Sequence, residues 1–275
     1  MKYQEVDILI PNQSPFREII VAKFNEVGFE SFSEDEHNLK AYIQEDKLVL
    51  KDVEAILNSI KKLTKISYKI KKIKQENWNE KWESNYFPVI INDICAIRAP
   101  FHKKINCKYE LIIMPKMSFG TGHHETTELM IKQILNLNFK NKNVLDVGCG
   151  TGVLSILASK LSANQVTGID TDDWAFQNSI DNSKLNNVDD IHFFHGDVHS
   201  ITKNKYDYIF ANINLNTIID QLLIYINLIT SKGSILISGF YEENEDIILT
   251  LVKKLKLKVV TKKNKNKWLM LHLSK

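Results

Sequence analysis

The sequence predicts an α/β protein in which a mostly parallel sheet, covered by helices on both faces, follows a small α+β domain. From residue 142 onward, apolar strand-like runs alternate with helical patterns, and such alternation requires parallel strands joined by helical crossovers. Residues 1–74 instead have the order strand, helix, strand, strand, helix, strand, which is the ferredoxin-like arrangement. All five prolines lie at or before Pro115, so an irregular first part precedes a regular second part.

The elements of the first domain follow from turn signals and apolar spacing. Ser14 before Pro15 is a capping signal for a helix, and Gly28 is a signal for its end. A second helix is indicated by apolar residues that recur every three or four positions between Val49 and Leu63. The predicted elements are strands at 5–10, 29–33, 39–44 and 66–70 and helices at 14–27 and 49–63.

Residues 75–115 are expected to form a linker followed by short strands, and residues 116–275 the larger domain. Trp78 and Trp82, one helical turn apart in the linker, are interpreted as packing residues rather than as a ligand cage. The larger domain is predicted to have seven strands, of which the last two form a hairpin at an antiparallel edge. One of these strands begins after residue 142, another ends near residue 195, and the other five span 165–170, 206–211, 234–238, 256–260 and 268–272. One predicted helix ends at residue 161, and the others span 174–185, 215–229 and 245–255.

Composition narrows the function classes. Arg17 and Arg98 are the only arginines among 36 basic residues, whereas readout of phosphates and bases favours arginine, so no direct nucleic-acid binding is required. The lysines at 253–267 are interpreted as a solvated face, with RNA or an acidic protein as the alternative. Three cysteines make no disulfide framework and no apolar run approaches about 18 residues, which favours a cytoplasmic protein outside the membrane. The oligomeric state stays open, and a monomer is favoured.

A glycine-rich turn follows the first strand of the larger domain. The strand contains Asp146 and continues into Gly148-x-Gly150-x-Gly152, and Asp170 lies at the tip of the next strand. A strand, a glycine turn that opens a helix and a carboxylate at the next strand end are the parts that hold a nucleoside against a parallel sheet. A purely structural loop is the alternative, and the downstream aspartates count against it. We therefore predict a nucleoside cofactor.

The turn also distinguishes between cofactors. Dinucleotide enzymes need a third glycine where this chain has Val153. Asp146 would repel a diphosphate but could accept hydrogen bonds from an ammonium group, and S-adenosylmethionine carries an ammonium group and no phosphate. Asp170 would then accept hydrogen bonds from the ribose hydroxyls, and Asp197, after the third strand, would face the adenine amino group. The sequence predicts S-adenosylmethionine as the cofactor.

A loop and an asparagine indicate which chemical group accepts the methyl group. The loop precedes the first strand, and its glycines permit it to close over a ligand. Asn212 follows the fourth strand, at the carboxyl edge where ligands of open α/β sheets bind. A lysine amine with a pKa of about 10.4 is almost wholly ammonium at neutral pH, and a neutral side chain orients it with less effect on its basicity than a carboxylate has. Asn212 is therefore the candidate positioner of an amine to be methylated, without an obligatory protein base. The candidate substrate-loop residues are Phe119, Gly120, Thr121, Gly122 and His124.

Several histidines and threonines allow other interpretations. His123 and His124 could act as a general base, although a loop needs polar residues in any case. Thr126 and Thr127 either contact the cofactor or cap a helix that begins near Glu128. A metal site is not expected, because no cysteine accompanies the remaining candidates, His192, His195 and His199.

The motifs together resemble the bacterial methyltransferases of the large-subunit ribosomal protein L-eleven (L11), the PrmA family. The matching segments are Phe119–Gly122, His124–Thr127, Leu145–Gly152, Gly168–Asp170 and Ala211–Ile213. The resemblance implies a Rossmann-like, seven-stranded class I methyltransferase domain behind a small N-terminal domain that binds the substrate. It also implies S-adenosylmethionine-dependent N-methylation of lysine side chains and of an N-terminal amine on ribosomal protein L11.

The family's cofactor-contacting positions fall on Thr127, Gly148, Asp170 and Asn212 of this chain. Glu125 stands where the family pattern has proline. A methyltransferase for nucleic-acid bases or glutamine is the first rival interpretation, but those families follow the asparagine with two prolines and an aromatic, which residues 212–215 lack. A noncatalytic ribosome-binding factor is the second, and the retained aspartates and glycines count against it.

Overall fold

The structure is a computed structural model that describes residues 2–11, 14–73, 83–116, 118–201 and 205–275. It divides into two compact units, Met1–Asn85 and Tyr86–Lys275. Each unit has its own apolar core. Trp78 and Trp82, interpreted above as packing residues, lie outside the described residues. Within the part of the chain that the structure describes, no helix is both long and apolar enough to cross a membrane.

Within residues 2–11 and 14–73, the first unit is a four-stranded antiparallel sheet with two helices. Its strand order is β2-β3-β1-β4. Alternate strand residues such as Val6 and Ile8 pack with Phe24 and Leu57 of the helices, because successive side chains of a strand point to opposite faces. Ser14 does not cap the first helix, which has Pro15 at its N-cap position and no side-chain cap. The elements are β1 Tyr3–Leu9, α1 Phe16–Glu26, β2 Ser31–Glu34, β3 Asn38–Gln44, α2 Leu50–Lys61 and β4 Ser67–Lys72.

The second unit begins with a three-stranded sheet. Strands β5 (Val89–Ile91), β6 (Cys95–Arg98) and β7 (Tyr109–Ile112) pair in this order, antiparallel and then parallel. The interval 75–115, expected to be a linker followed by short strands, therefore contributes a small sheet, and the strands belong to the second unit. The core residues of this sheet pack with the helices that cover the large sheet.

The large sheet has seven strands in the order β10-β9-β8-β11-β12-β14-β13. The first five strands are parallel and β14 is antiparallel to both of its neighbours, which confirms the predicted α/β class. The elements are α3 Glu125–Ile134, β8 Asn143–Val147, α4 Val153–Lys160, β9 Gln165–Asp170, α5 Asp173–Leu185, β10 Ile191–His195, β11 Tyr206–Asn212, α6 Leu215–Leu228, β12 Ile229–Tyr241, α7 Glu245–Lys254, β13 Lys258–Lys265 and β14 Trp268–Ser274.

Neighbouring strand residues enter two different cores. Val144 and Phe210 pack with residues of α3 and α4, whereas Leu145, Ile209 and Ala211 pack with residues of α6 and α7. The sheet is thus covered on both faces, as its nearly continuous apolar strands require. The chain runs from β8 towards β10 on one side and from β11 towards β12 on the other. Such a reversal opens a crevice at the carboxyl ends of the two central strands.

Candidate active site

A cavity of about 490 Å³ lies at the carboxyl edge of the large sheet, where the strand order reverses. Two short sequences far apart in the chain meet there, the glycine turn after β8 and the end of β11. The predicted site residues in its lining are Phe119, His124, Gly148, Gly150, Asp170, Asp197 and Asn212. Those outside its lining are Gly120, Thr121, Gly122, Thr127 and Asp146.

The glycine turn lies directly against the predicted substrate loop. Gly150 has φ +55°, and a Cβ atom there would collide with the backbone carbonyl oxygen of Phe119. The Thr151 amide donates to the same carbonyl oxygen at 2.9 Å, and the Thr151 hydroxyl donates to the Gly120 carbonyl at 2.6 Å. A side chain at position 150 would therefore push the loop away from the turn.

Asp170 keeps acceptor capacity for a ligand. Its Oδ2 accepts from the Gly150 amide at 2.8 Å, and its Oδ1 accepts from the Asp172 amide at 3.0 Å. An ionised carboxylate offers about four acceptor positions, so each oxygen retains one. These two backbone bonds hold the carboxylate at the cavity wall.

Asp146 is buried behind the turn. Its Oδ2 accepts from the Ser155 amide at 3.1 Å and from the Ser155 hydroxyl at 2.7 Å. Ser155 lies in the first turn of α4, where the helix dipole favours a negative charge. Burial nevertheless raises the pKa of Asp146 to about 7, against the two hydrogen bonds from Ser155, which lower it. The nearby charge of Asp170 raises this pKa further.

Asn212 has an unused acceptor. Its Nδ2 lies 3.4 Å from the Thr127 hydroxyl, a long hydrogen bond, and its buried Oδ1 has no partner among the residues that the structure describes. An unpaired buried carbonyl is unfavourable by about 1–3 kcal/mol unless a ligand supplies a donor. Thr127 thus supports Asn212 rather than lining the cavity itself.

The loop and α3 are joined through His124. The helix begins at Glu125, three residues earlier than expected, and the His124 side chain caps it by accepting from the Thr126 amide. Of the two interpretations of Thr126 and Thr127, the one in which they cap a helix that begins near Glu128 is therefore wrong. The His124 ring also contacts Phe119, with ring centroids 5.1 Å apart, and Trp268, with centroids 4.6 Å apart.

Two further histidines, His123 and His199, have partners of their own. His123 contacts the Phe87 carbonyl through Nε2 at 2.8 Å. His199 Nδ1 lies 3.2 Å from a carboxylate oxygen of Asp197, whose other oxygen accepts from the His199 amide. The described part of the chain contains no group of three histidine, cysteine or carboxylate side chains arranged to hold a metal ion.

Several lining residues were missed by sequence reasoning, among them Trp268 and Gly239. Trp268 is brought to the cavity by the pairing of β14 with the end of β12, where it lies opposite Tyr241. This antiparallel pairing between distant segments leaves no local signal. Gly239 also lines the cavity, and a Cβ atom there would collide with the backbone of Ile213. The sequence signal that could have identified Gly239 is a glycine near the carboxyl end of a buried strand.

This fold and this set of site residues define a class I methyltransferase. Residues 12–275 match the family described as ribosomal protein L11 methyltransferase (PrmA). Proteins named ribosomal protein L11 methyltransferase include one from Phocaeicola vulgatus, 41% identical over 98% of this chain and 97% of its own length. Another, from Porphyromonas gingivalis, is 40% identical over 94% of this chain and 90% of its own length.

A solved relative supports the fold. The crystal structure of ribosomal protein L11 methylase from Lactobacillus delbrueckii subsp. bulgaricus has a TM-score of 0.64 and 24% identity, and the match covers 69% of this chain and 99% of that one. The chain belongs to the ribosomal protein L11 methyltransferase family. It is a methyltransferase, and its methyl donor is S-adenosylmethionine.

The raised pKa of Asp146 predicts a pH-dependent stability. Between about pH 4 and pH 7 the folded protein keeps a proton on Asp146 that the unfolded chain has lost, so the free energy of unfolding falls as the pH rises through this window. Asp146→Asn removes the titration and keeps an oxygen for Ser155. We expect the variant to gain about 1 kcal/mol or more relative to the parent between pH 5 and pH 8.

Urea unfolding of the two proteins without cofactor at both pH values measures this gain. Asp173→Asn is the control, because it makes the same chemical change at an exposed position. An Asp146→Asn difference that does not change with pH would show that Asp146 is ionised throughout.

Proposed function

We propose that this chain transfers methyl groups from S-adenosylmethionine to lysine side chains and to the N-terminal amine of ribosomal protein L11. The observation that carries the proposal is the buried Oδ1 of Asn212, which has no partner among the described residues, at the cavity that contains the glycine turn and Asp170. The names of the family and of the full-length relatives support L11 as the protein substrate.

The cavity has different chemistry at its two ends. Asp170 and Asp197 lie at the ends of β9 and β10, and we assign them to the ribose hydroxyls and to the adenine amino group. Gly148 and Gly150 provide the surface of the turn beneath the donor. Asp146 would interact with the ammonium group of the donor from behind the turn. When bound, the donor supplies a methyl group activated by a positively charged sulfur.

Asn212 lies at the end of β11, on the other side of the turn from Asp170. An amine that donates an N–H to Asn212 Oδ1 has its lone pair free to point elsewhere, towards the methyl group. Because Asn212 is uncharged, it does not favour the ammonium form of the target as a carboxylate would. Rate then comes mainly from alignment of the reacting atoms, which needs no protein base.

The N-terminal unit is proposed to recognise the protein substrate. All residues that line the cavity belong to the second unit, and the first unit has a separate core. The first unit is therefore not needed to build the donor site. A domain with its own core, none of whose described residues lines the cavity, is suited to holding a macromolecular acceptor, and the expected recognition domain is residues 1–74.

The proposed reaction is tested by the intact mass of purified ribosomal protein L11 after incubation with this protein and S-adenosylmethionine. We expect increases in multiples of one methylene unit, which peptide mapping places on lysine and N-terminal amines. The chain without residues 1–74 should bind the donor normally but leave L11 unmodified. An unchanged L11 mass with the full chain, despite donor binding, would direct attention to other ribosomal proteins or to RNA.

Asp170→Ala is expected to weaken donor binding about 10- to 100-fold, because hydrogen bonds to a charged group contribute about 1.5–3 kcal/mol. Calorimetric titration with S-adenosylmethionine measures this loss. Asp173→Ala removes an exposed carboxylate from the same region and should bind as the parent does. Parent-like affinity of Asp170→Ala would remove Asp170 from the donor site.

Asn212→Asp is expected to shift the pH dependence of methylation to higher pH. A carboxylate beside the target amine stabilises its ammonium form, so a higher pH is needed to produce the free lone pair. Initial rates between about pH 7 and pH 10 measure the shift. Asn212→Ala should lower the rate without moving the profile, and an unshifted profile in Asn212→Asp would place the target amine away from residue 212.

A further inference from the structure

Asn182 is a buried residue of α5 that bonds two separate backbone segments beside the active site. Its Nδ2 donates to the Thr151 carbonyl in the glycine turn at 3.0 Å, and its Oδ1 accepts from the Met114 amide at 2.9 Å. Met114 lies just ahead of the substrate loop in the chain. One side-chain amide therefore joins the approach to the loop with the turn on which the donor rests.

Thr151 completes the connection. Through its backbone amide and its hydroxyl it bonds the carbonyl groups of Phe119 and Gly120, the first glycine of the loop. Thr151 and Asn182 are both buried without measurable exposure. A closed ring of contacts thus runs from Asn182 to Thr151, on to Gly120, and back along the chain to Met114.

Helix α5 also holds the donor side of the cavity. Its N-cap residue, Asp172, accepts from the amides of Trp174 and Ala175, and the Asp172 amide donates to Asp170. Helix α5 therefore begins beside Asp170, the carboxylate proposed to bind the ribose. About two and a half turns later it carries the Asn182 side-chain amide, which bonds the glycine turn and the approach to the loop. A rigid helix transmits the position of one contact to the other.

We propose that Asn182 is a positioning residue, which fixes the Phe119–Gly122 loop against the glycine turn before the methyl donor binds. The inference rests on the assignment of this cavity as the donor site. Asn182 does not line the cavity and touches no reacting atom. It acts through Thr151 and Met114, and its loss should release the loop while leaving the chemistry of Asn212 in place.

Asn186 provides a matched control. It lies one turn further along the chain, is also buried, and bonds both the amide and the carbonyl of Ile112. Asn186→Ala thus removes two bonds to the segment at Ile112 and one to the Asn182 carbonyl, but none to the glycine turn. Comparing Asn182→Ala with Asn186→Ala in the full chain separates loop positioning from general loss of stability, which urea unfolding measures for both.

The first readout is limited trypsin cleavage after Lys116, which is exposed beside the loop. The second is the affinity for S-adenosylmethionine by calorimetry. If the two variants are equally stable, we expect Asn182→Ala to be cleaved about tenfold faster than Asn186→Ala and to bind the donor about tenfold more weakly, because only Asn182→Ala loses the hydrogen bond to the Thr151 carbonyl. Neither readout needs a protein substrate, so failure of L11 as the acceptor leaves this test intact.

Thr151→Val tests the same ring without changing α5. It keeps the branched shape and the backbone bonds and removes only the hydroxyl bond to Gly120. We expect faster cleavage after Lys116 in this variant, and a smaller additional effect when Asn182→Ala is combined with it, because both act on one connection. Parent-like cleavage and donor affinity in Asn182→Ala, or in Thr151→Val if Asn182→Ala does not fold, would overturn the proposal.

Discussion

The contact between the glycine turn and the Phe119 carbonyl is the constraint on which the rest of the site depends. The turn must come close enough for the Thr151 amide to reach that carbonyl, and Gly150 leaves no Cβ in the way. The same Gly150 amide orients Asp170. The glycine turn thus positions both the Asp170 carboxylate and the Phe119–Gly122 loop, so a substitution of Gly150 disturbs both.

The distribution of charge in the cavity fits the amine methylation that we propose for this chain. Carboxylates lie at the ends of β9 and β10, where hydroxyl and amino groups of a nucleoside can donate to them. The end of β11 carries the uncharged Asn212. An acceptor amine must lose its proton before it can attack, and a neutral oxygen stabilises its ammonium form less than a carboxylate does. The reversal of strand order between β8 and β11 separates the two environments.

Buried polar side chains outside the lining of the cavity hold the backbone around it in place. Asp146 and Ser155 fasten the first turn of α4, and Asn182 joins the glycine turn to the approach of the loop. Their hydrogen bonds lie in a region of low dielectric, where a satisfied network is rigid and an unsatisfied one is costly. The result is a preformed backbone around the cavity, and the buried Asn212 Oδ1 has no partner among the described residues.

The sequence by itself determined the α/β class, the seven strands and the identity of the turn, because apolar alternation and glycine spacing are local signals. It also indicated Asp170 and Asn212, since residues at the carboxyl ends of parallel strands meet at one edge. Only the tertiary structure decided that Trp268 reaches the cavity, through β12–β14 pairing, and that Asp146 and Thr127 lie behind its lining. The roles of Asn182 and His124 likewise depend on which backbone groups packing brings within hydrogen-bond distance, and sequence spacing does not encode such distances.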